Sequence, residues 1–200
     1  MSYSPSLLAR IAGLATPFIF AGTLAMAQSD TATDSSSIAD ELSLGDASPR
    51  VGETYIKEEF GDWDLRCIKT EEDEDPCQMY QLLEDEQGAP ISEFTLFKLP
   101  EGNQAQAGAT VVVPLETSLA AQLSIKVDDA PAKRYPFAFC NQVGCYARIG
   151  LTPEDVEQLK KGGEAILTIV PVVAPDQRVN VTLSLNGFTA SFDQVSVIEQ

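Results

Sequence analysis

The sequence predicts an all-β protein, an antiparallel β-sandwich of the jelly-roll or Ig-like kind, with one short helix near residues 153–161. Two observations carry this prediction. From Glu53 onward, short segments that alternate apolar and polar side chains are separated by turn-forming residues, a pattern typical of half-buried strands. About nine or ten such segments occur, against a single segment with helical start and stop signals. A closed barrel is the alternative arrangement of the same strands.

The first predicted strands form a hairpin around an acidic loop. Residues 62–69 alternate apolar and charged side chains, and residues 77–83 are the return strand. The five acidic residues 71–75 and the proline after them must form the connecting loop, because like charges repel and proline interrupts pairing. The later predicted strands are residues 91–99, 108–114, 119–127, 134–140, 145–149, 164–170, 178–185 and 187–192.

The helix is predicted from its end signals. Thr152 is suited to the N-cap, Pro153 to the first helical position, and the two acidic residues that follow to the positive end of the helix. Two lysines and then Gly162 mark its C-terminus, so the predicted helix covers residues 153–161.

The first 27 residues have the pattern of a secretory signal peptide. Arg10 is their only charged residue, an apolar run covers residues 11–24, and small residues precede the predicted cleavage after Ala27. A transmembrane anchor is the alternative, but the run of 14 residues is shorter than the roughly 20 that span a bilayer. Residues 28–52, rich in Ser and Asp, predict a disordered linker, and residues 53–200 a single β-sandwich domain.

The charge of the mature chain excludes some partners. Loss of Arg10 leaves 12 basic and 30 acidic residues, a net charge of −18. Such a surface repels phosphate backbones, so we expect no nucleic-acid partner, and no segment after the signal peptide is apolar enough to span a membrane. The predicted location is periplasmic or secreted.

Cysteine usage agrees with an exported chain. There are four cysteines and no histidine. Three pairings are possible, and we predict the local one, which joins Cys67 to Cys77 and Cys140 to Cys145, because the two members of each pair are near in sequence. On the chain-entropy model these links would contribute about 2.8 and about 2.2 kcal/mol. The alternative is a four-thiolate zinc site, although the spacings lack the short C-x2-C repeats typical of such sites.

Several blocks of the sequence resemble the invasion-associated locus B family of alphaproteobacterial envelope proteins. The most specific is AKRYPFAFCNQVGCYARIGLT at residues 132–152, and all four cysteines lie within matching blocks. The other blocks are residues 60–67, 76–83, 97–102, 108–115, 174–177 and 186–192. The resemblance implies a signal-bearing, secreted or periplasmic β-protein without a settled biochemical activity, and it links pathogenic members of the family to entry into host cells.

Little in the sequence indicates catalysis. Without histidine, Ser-His-Asp and Cys-His mechanisms are excluded. With 30 acidic residues, a carboxylate pair for a hydrolase can be nominated almost anywhere, so only geometry can test it. The acidic loop lacks the ligand spacing of a calcium loop. The C-x4-C pair fits a structural link better than a redox pair, which usually has C-x-x-C spacing at a helix N-terminus. We expect no cofactor and no metal.

A small basic and aromatic cluster is the candidate contact site. Lys133, Arg134, Tyr135 and Arg148 stand out in an acidic chain and could contact an anionic group or a partner. Cross-strand pairing with local acids is the alternative. The predicted function is therefore a non-enzymatic interaction module for an unknown protein or cell-surface partner, associated with the host cell or the envelope. A periplasmic small-ligand carrier with a pocket between the sheets is the alternative, and a carboxylate hydrolase is a third.

Overall fold

Two antiparallel sheets form the body of the protein in a computed structural model. The structure describes Gly45, residues 48–85 and residues 87–198. The predicted signal peptide, residues 1–27, and most of the predicted linker, residues 28–52, lie outside the described residues.

The larger sheet has seven strands, in the order β1-β2-β3-β4-β5-β9-β8. Neighbours in this order pair antiparallel, and β1 and β8 form its two edges. Its strands are β1 (Thr54–Phe60), β2 (Trp63–Ile68), β3 (Cys77–Glu84), β4 (Pro90–Lys98), β5 (Ala107–Val113), β8 (Phe137–Cys140) and β9 (Cys145–Leu151).

The smaller sheet has four strands, in the order β11-β10-β6-β7, and is also antiparallel. Its strands are β6 (Leu123–Val127), β7 (Lys133–Tyr135), β10 (Glu164–Ile169) and β11 (Val179–Ser184). The prediction of an all-β sandwich is therefore confirmed.

The core lies between the two sheets. Along β2, Trp63, Leu65 and Cys67 are buried while the residues between them face outward, as the alternation predicts. Trp63 makes edge-on contacts with two phenylalanine rings, at centroid distances of 5.9 and 5.4 Å. Its indole N–H donates to the Ser184 carbonyl oxygen across the sandwich at 2.9 Å, so this single tryptophan anchors one sheet to the other.

The predicted helix is present with the predicted bounds, as α1 (Pro153–Lys161). The Thr152 hydroxyl accepts a hydrogen bond from the Asp155 N–H, and the Asp155 carboxylate accepts one from the Thr152 N–H, which completes a capping box. Val156 and Leu159 are buried against the sheets. The capping residues and the spacing of the apolar residues indicate the same helix, so the local sequence was sufficient to predict its bounds.

The strand predicted at residues 187–192 is wrong, because this segment forms a second helix, α2 (Phe188–Gln194). Phe188 and Phe192 are four residues apart, so a helix brings both rings to one face, where they stack inside the core. Gly187 has φ of 84°, and a Cβ there would overlap the Phe60 carbonyl oxygen. A contact distant in sequence thus forces the turn that starts the helix.

The single strand predicted at residues 134–140 is also wrong. Pro136 separates β7 from β8, and these two strands belong to different sheets. Proline cannot donate to a strand ladder, so the chain leaves one sheet there and joins the other. The predicted strand at residues 119–127 begins with a 3-10 turn, Leu119–Ala121, before β6. The sequence pattern did not predict the first strand, β1.

Candidate functional site

The structure separates the four residues that the sequence grouped as one contact site. Lys133 and Tyr135 lie on the inward face of β7, opposite Ile125 and Leu123 of β6. Arg134 lies between them in sequence and therefore points to the outer face of the smaller sheet. Arg148 lies on β9 in the larger sheet, with its side chain on the outer face. The predicted cluster is thus divided among three surroundings.

Lys133 is engaged in holding helix α1 to the smaller sheet. Its ammonium group forms an ion pair with Asp155, whose side chain is largely buried. The hydrogen bond to Asp155 raises the pKa of Lys133. Burial acts to raise the pKa of Asp155, but hydrogen bonds from Lys133 and from the Thr152 N–H and hydroxyl outweigh it and lower that pKa. Both groups are charged at neutral pH, and the pair is structural.

The space between the sheets at this point is small. The cavity beside Lys133 and Tyr135 has a volume of about 30 Å³ and is lined mostly by apolar side chains, Leu159 and Leu183 among them. This is close to the volume that one water occupies in the liquid, whereas pockets for small ligands measure roughly 300–1,000 Å³. This cavity therefore gives no support to the carrier hypothesis.

The β8–β9 hairpin presents a different surface to solvent. The rings of Phe139 and Tyr146 stack at a centroid distance of 4.6 Å, and the Arg148 guanidinium lies over the Phe139 ring at 5.4 Å. We call Phe139, Tyr146 and Arg148 the hairpin surface. Phe139 is 42% exposed, although aromatic side chains of this size are usually buried. A cation over an aromatic ring further orders the surface.

Local bonds and a covalent link shape the turn of this hairpin. A disulfide joins Cys140 to Cys145, which are directly opposite in the strand register. The Asn141 side-chain oxygen accepts hydrogen bonds from the N–H groups of Val143 and Gly144 at 2.8 and 3.3 Å. A Cβ at Gly144 would overlap the Val113 carbonyl oxygen, so the turn packs closely against the end of β5. Val143 at its tip is 71% exposed.

The acidic loop between β2 and β3 is ordered by one of its own carboxylates. The second disulfide joins Cys67 to Cys77 at the base of this loop. Asp75 accepts hydrogen bonds from the Thr70 N–H at 2.8 Å, the Tyr55 hydroxyl at 2.7 Å and Lys69 at 3.1 Å. Donation from the Thr70 N–H, then from Tyr55, lowers the pKa of Asp75 well below its ordinary value. The loop is therefore tied to β1 rather than projecting freely.

The described residues contain no cluster of metal ligands, and the two carboxyl groups with shifted pKa values do not suit a catalytic acid. Across residues 48–85 and 87–198, no group of three or more side chains with metal-binding atoms is close enough to hold an ion. A glycosidase needs one carboxylic acid with a raised pKa, but the pKa values of Asp75 and Asp155 are both lowered. Neither of these carboxyl groups suits that role.

Sequence reasoning missed two of the three side chains in the hairpin surface. Phe139 and Tyr146 immediately flank the Cys140–Cys145 pair, at positions that face each other across the hairpin. Their positions next to the two cysteines could have predicted this contact, because residues just outside a cross-strand disulfide are neighbours across the hairpin. Arg178 was also missed, and it shares a pocket with Arg134 on the smaller sheet.

The two helices in the described part of the chain have nine and seven residues, too few to cross a bilayer.

Comparison with known proteins places this arrangement among relatives. Residues 63–196 match the family model described as "Invasion associated locus B (IalB) protein". The Invasion protein B homolog of Brucella abortus strain 2308 is 27% identical over 158 residues, which cover 78% of this chain and 88% of that protein. The homolog from Brucella abortus biovar 1, strain 9-941, gives the same values.

A solved structure has a similar fold. The crystal structure of invasion associated protein B from Bartonella henselae matches with a TM-score of 0.58 and 19% sequence identity. The match covers 71% of this chain and 94% of that one. At this level of identity the likeness concerns the fold alone.

Proposed function

Because the chain belongs to the invasion associated locus B family, we propose that it is an exported protein that binds a protein partner through the hairpin surface and catalyses no reaction. The observation that carries the proposal is the stack of Phe139, Tyr146 and Arg148 on the outside of the larger sheet. The partner belongs to the surface of a host cell, in keeping with the relatives' names as invasion proteins, or to the bacterial envelope that an exported chain enters.

The composition of the hairpin surface supports a protein partner. Aromatic residues and arginine are enriched in the centres of protein interfaces and carry much of their binding energy. Here they lie on an edge hairpin, with Val143 exposed at the adjoining turn. The Cys140–Cys145 link and the Asn141 hydrogen bonds already restrict this hairpin. Less conformational entropy is therefore lost when it binds.

Export is supported by two independent features. Residues 1–27 have the charge, apolar run and small-residue ending of a cleaved signal peptide. The two disulfides are compatible with an oxidising compartment. The expected mature protein begins at Gln28, has no free thiol and occurs in the periplasm or outside the cell. Mass spectrometry without reduction, on the fractionated cell, measures both properties; an intact chain in the cytosol with four titratable thiols would contradict them.

The proposal that the protein catalyses no reaction is supported by its composition and by the names of its relatives. The chain has no histidine, which removes the commonest general base. The relatives are named as invasion proteins, and their names state no enzymatic activity. The small cavity beside Lys133 and Tyr135 likewise favours a binding surface over a ligand site at that place.

Affinity capture with matched variants tests the proposed surface. The mature chain, immobilised with its disulfides intact, is exposed to envelope extract and to host-cell membrane extract. We expect a retained protein that is lost when Phe139→Ser and Arg148→Glu are combined. Retention that survives this double change would contradict the assignment of the surface.

The matched control carries the same kinds of substitution elsewhere. Val173 is 80% exposed and the Lys161 side chain is 78% exposed, and neither residue belongs to β8, β9 or the turn between them. Val173→Ser combined with Lys161→Glu removes similar apolar surface and changes the charge by the same amount. This control should retain the partner at the native level, and equal loss in both variants would show that the effect is one of general charge.

A further inference from the structure

A second concave surface lies on the outer face of the smaller sheet. It is a pocket of about 300 Å³, ten times the volume of the cavity beside Lys133 and Tyr135. Its polar lining residues are Gln122, Ser124, Arg134, Thr168 and Arg178. None of the lining residues is acidic, in a chain with 30 acidic residues.

Strand register explains why these side chains converge. Arg134 on β7 lies opposite Ser124 on β6, and Ser124 lies opposite Thr168 on β10. Residues directly opposite in adjacent strands share a face, so the three form a polar row across the sheet. Thr168 in turn lies opposite Asn180 on β11. Arg178 is two residues before Asn180 in sequence, so it lies near the same end of this row.

The two arginines have no acidic partner in this pocket. Neither the Arg134 nor the Arg178 side chain forms a hydrogen bond, an ion pair or a ring contact with any described residue. Two guanidinium groups at one concave site repel each other unless an anion lies between them. Arginine is also the side chain best matched to oxyanions, because its planar fork donates two parallel hydrogen bonds.

We propose that this pocket binds the phosphate or sulfate group of a small, sugar-sized ligand. Arg134 and Arg178 would hold the oxyanion, and the Ser124 and Thr168 hydroxyls and the Gln122 amide would contact the rest of the ligand. A volume of about 300 Å³ exceeds what a bare oxyanion fills and is at the lower end of the range for small-ligand pockets. This site goes beyond the proposed function, since it lies on the other sheet from the hairpin surface.

The same oxyanion could belong to a soluble molecule or to a lipid headgroup. The mature chain carries a net charge of −18, so an anionic bilayer repels the protein as a whole. A small soluble ligand carries little charge and can reach the local positive field of the pocket. The soluble source is therefore the expected one.

Calorimetric titration of the mature, oxidised chain tests the proposal. The probes are glucose 6-phosphate, glucose 6-sulfate, inorganic phosphate and unmodified glucose, with vesicles containing phosphatidylglycerol as the lipid arm. We expect one saturable site for the two charged sugars, weaker binding of inorganic phosphate and none of glucose. Binding that weakens as salt is added is also expected, because added ions screen the two arginines. No binding of either charged sugar, or binding only to vesicles, would overturn the proposal.

Variants assign the binding to the pocket. Arg134→Ala and Arg178→Ala should each weaken binding of glucose 6-phosphate by about tenfold or more, since each removes charge-assisted hydrogen bonds. Arg134→Lys should bind glucose 6-phosphate more tightly than Arg134→Ala but less tightly than the native protein, because lysine keeps the charge but cannot donate two parallel hydrogen bonds. Lys126 is exposed on the outer face of the same strand as Ser124 but does not line the pocket, so Lys126→Ala is the control. A loss with Lys126→Ala equal to that with Arg134→Ala would also overturn the proposal.

Discussion

Each of the two hairpins is linked by a disulfide, but one disulfide is buried in the core and the other lies at the surface. In each, the linked cysteines are directly opposite in the register, with Cα atoms 4.0 Å apart. Cys67 and Cys77 are both buried, at 0% and 5% exposure, and close the base of the acidic loop. Of the second pair, Cys145 is buried but Cys140 is exposed on an edge strand.

This difference separates a link that holds the core from one that holds a surface. The first pair lies in the row of side chains that includes Trp63 and Leu65, so it is part of the packing between the sheets. The second pair closes a turn of four residues whose neighbours, Phe139 and Tyr146, face solvent. We infer that the first hairpin mainly serves stability and that the second mainly keeps the hairpin surface in one conformation.

The largest expected effect comes from removal of the buried link. Replacing Cys67 and Cys77 together by Ala should lower the free energy of unfolding by about 3–5 kcal/mol, because loop entropy and core contacts are lost together. Urea unfolding followed by tryptophan fluorescence measures this, since Trp63 is the only tryptophan and is fully buried. A loss smaller than that for the second pair would reverse the comparison.

Removal of the edge link should cost less. Replacing Cys140 and Cys145 together by Ala is expected to lower the free energy of unfolding by about 2 kcal/mol, close to the entropic contribution of so short a loop. The same urea titration gives the value. Binding of the partner should fall more than this loss of stability accounts for, because the hairpin surface becomes mobile. An unchanged melting temperature would show that the edge pair is not structural.

A third change tests the acidic loop. The pKa of Asp75 is lowered in the folded state, so its stabilising effect is complete above its ordinary value of 3.8 and is lost as the pH falls through the folded value. Asp75→Asn should therefore lower the melting temperature at pH 7, and the difference from the native protein should shrink below pH 3.8. Thermal unfolding over a pH series measures it. Asp73→Asn, an exposed acid of the same loop, is the control and should show little difference at any pH.

The smallest effect on stability is expected at the hairpin surface. Phe139→Ser removes one ring of an exposed stack and should change the free energy of unfolding by about 0.5–1 kcal/mol. Thermal unfolding of the oxidised protein checks it. A loss as large as that of the buried disulfide would mean that Phe139 belongs to the folding core, and the division between the two hairpins would fail.

Local sequence was sufficient wherever one segment carried all of its own signals. The bounds of α1 followed from Thr152, Pro153 and Gly162 without help from the rest of the chain. The faces of β2 followed from strict alternation, because a strand buried on one side must alternate. The cysteine pairs were correctly drawn because residues close in sequence on one hairpin have few other partners.

Prediction from the sequence failed where contacts between residues distant in sequence decided which of two locally possible structures forms. Residues 187–192 can alternate as a strand or present Phe188 and Phe192 on one helix face, and the close approach of Gly187 to Phe60 decided for the helix. The four residues of the predicted contact site were near in sequence, but alternation along β7 and the change of sheet at Pro136 sent them to different faces.

The amino-acid sequence by itself determined the strand-rich class, the capped helix and the cross-hairpin cysteine links, because each depends on neighbours within about a dozen residues. It also determined a chemistry without imidazole, since the chain has no histidine. Only the tertiary structure decided which side chains meet in space. Arg134 joins Arg178, more than forty positions away, while its neighbour Lys133 pairs with Asp155 on the inward side of the same sheet. The physical reason is that a strand's partner and its outward face are set by burial of the whole core, which no single segment encodes.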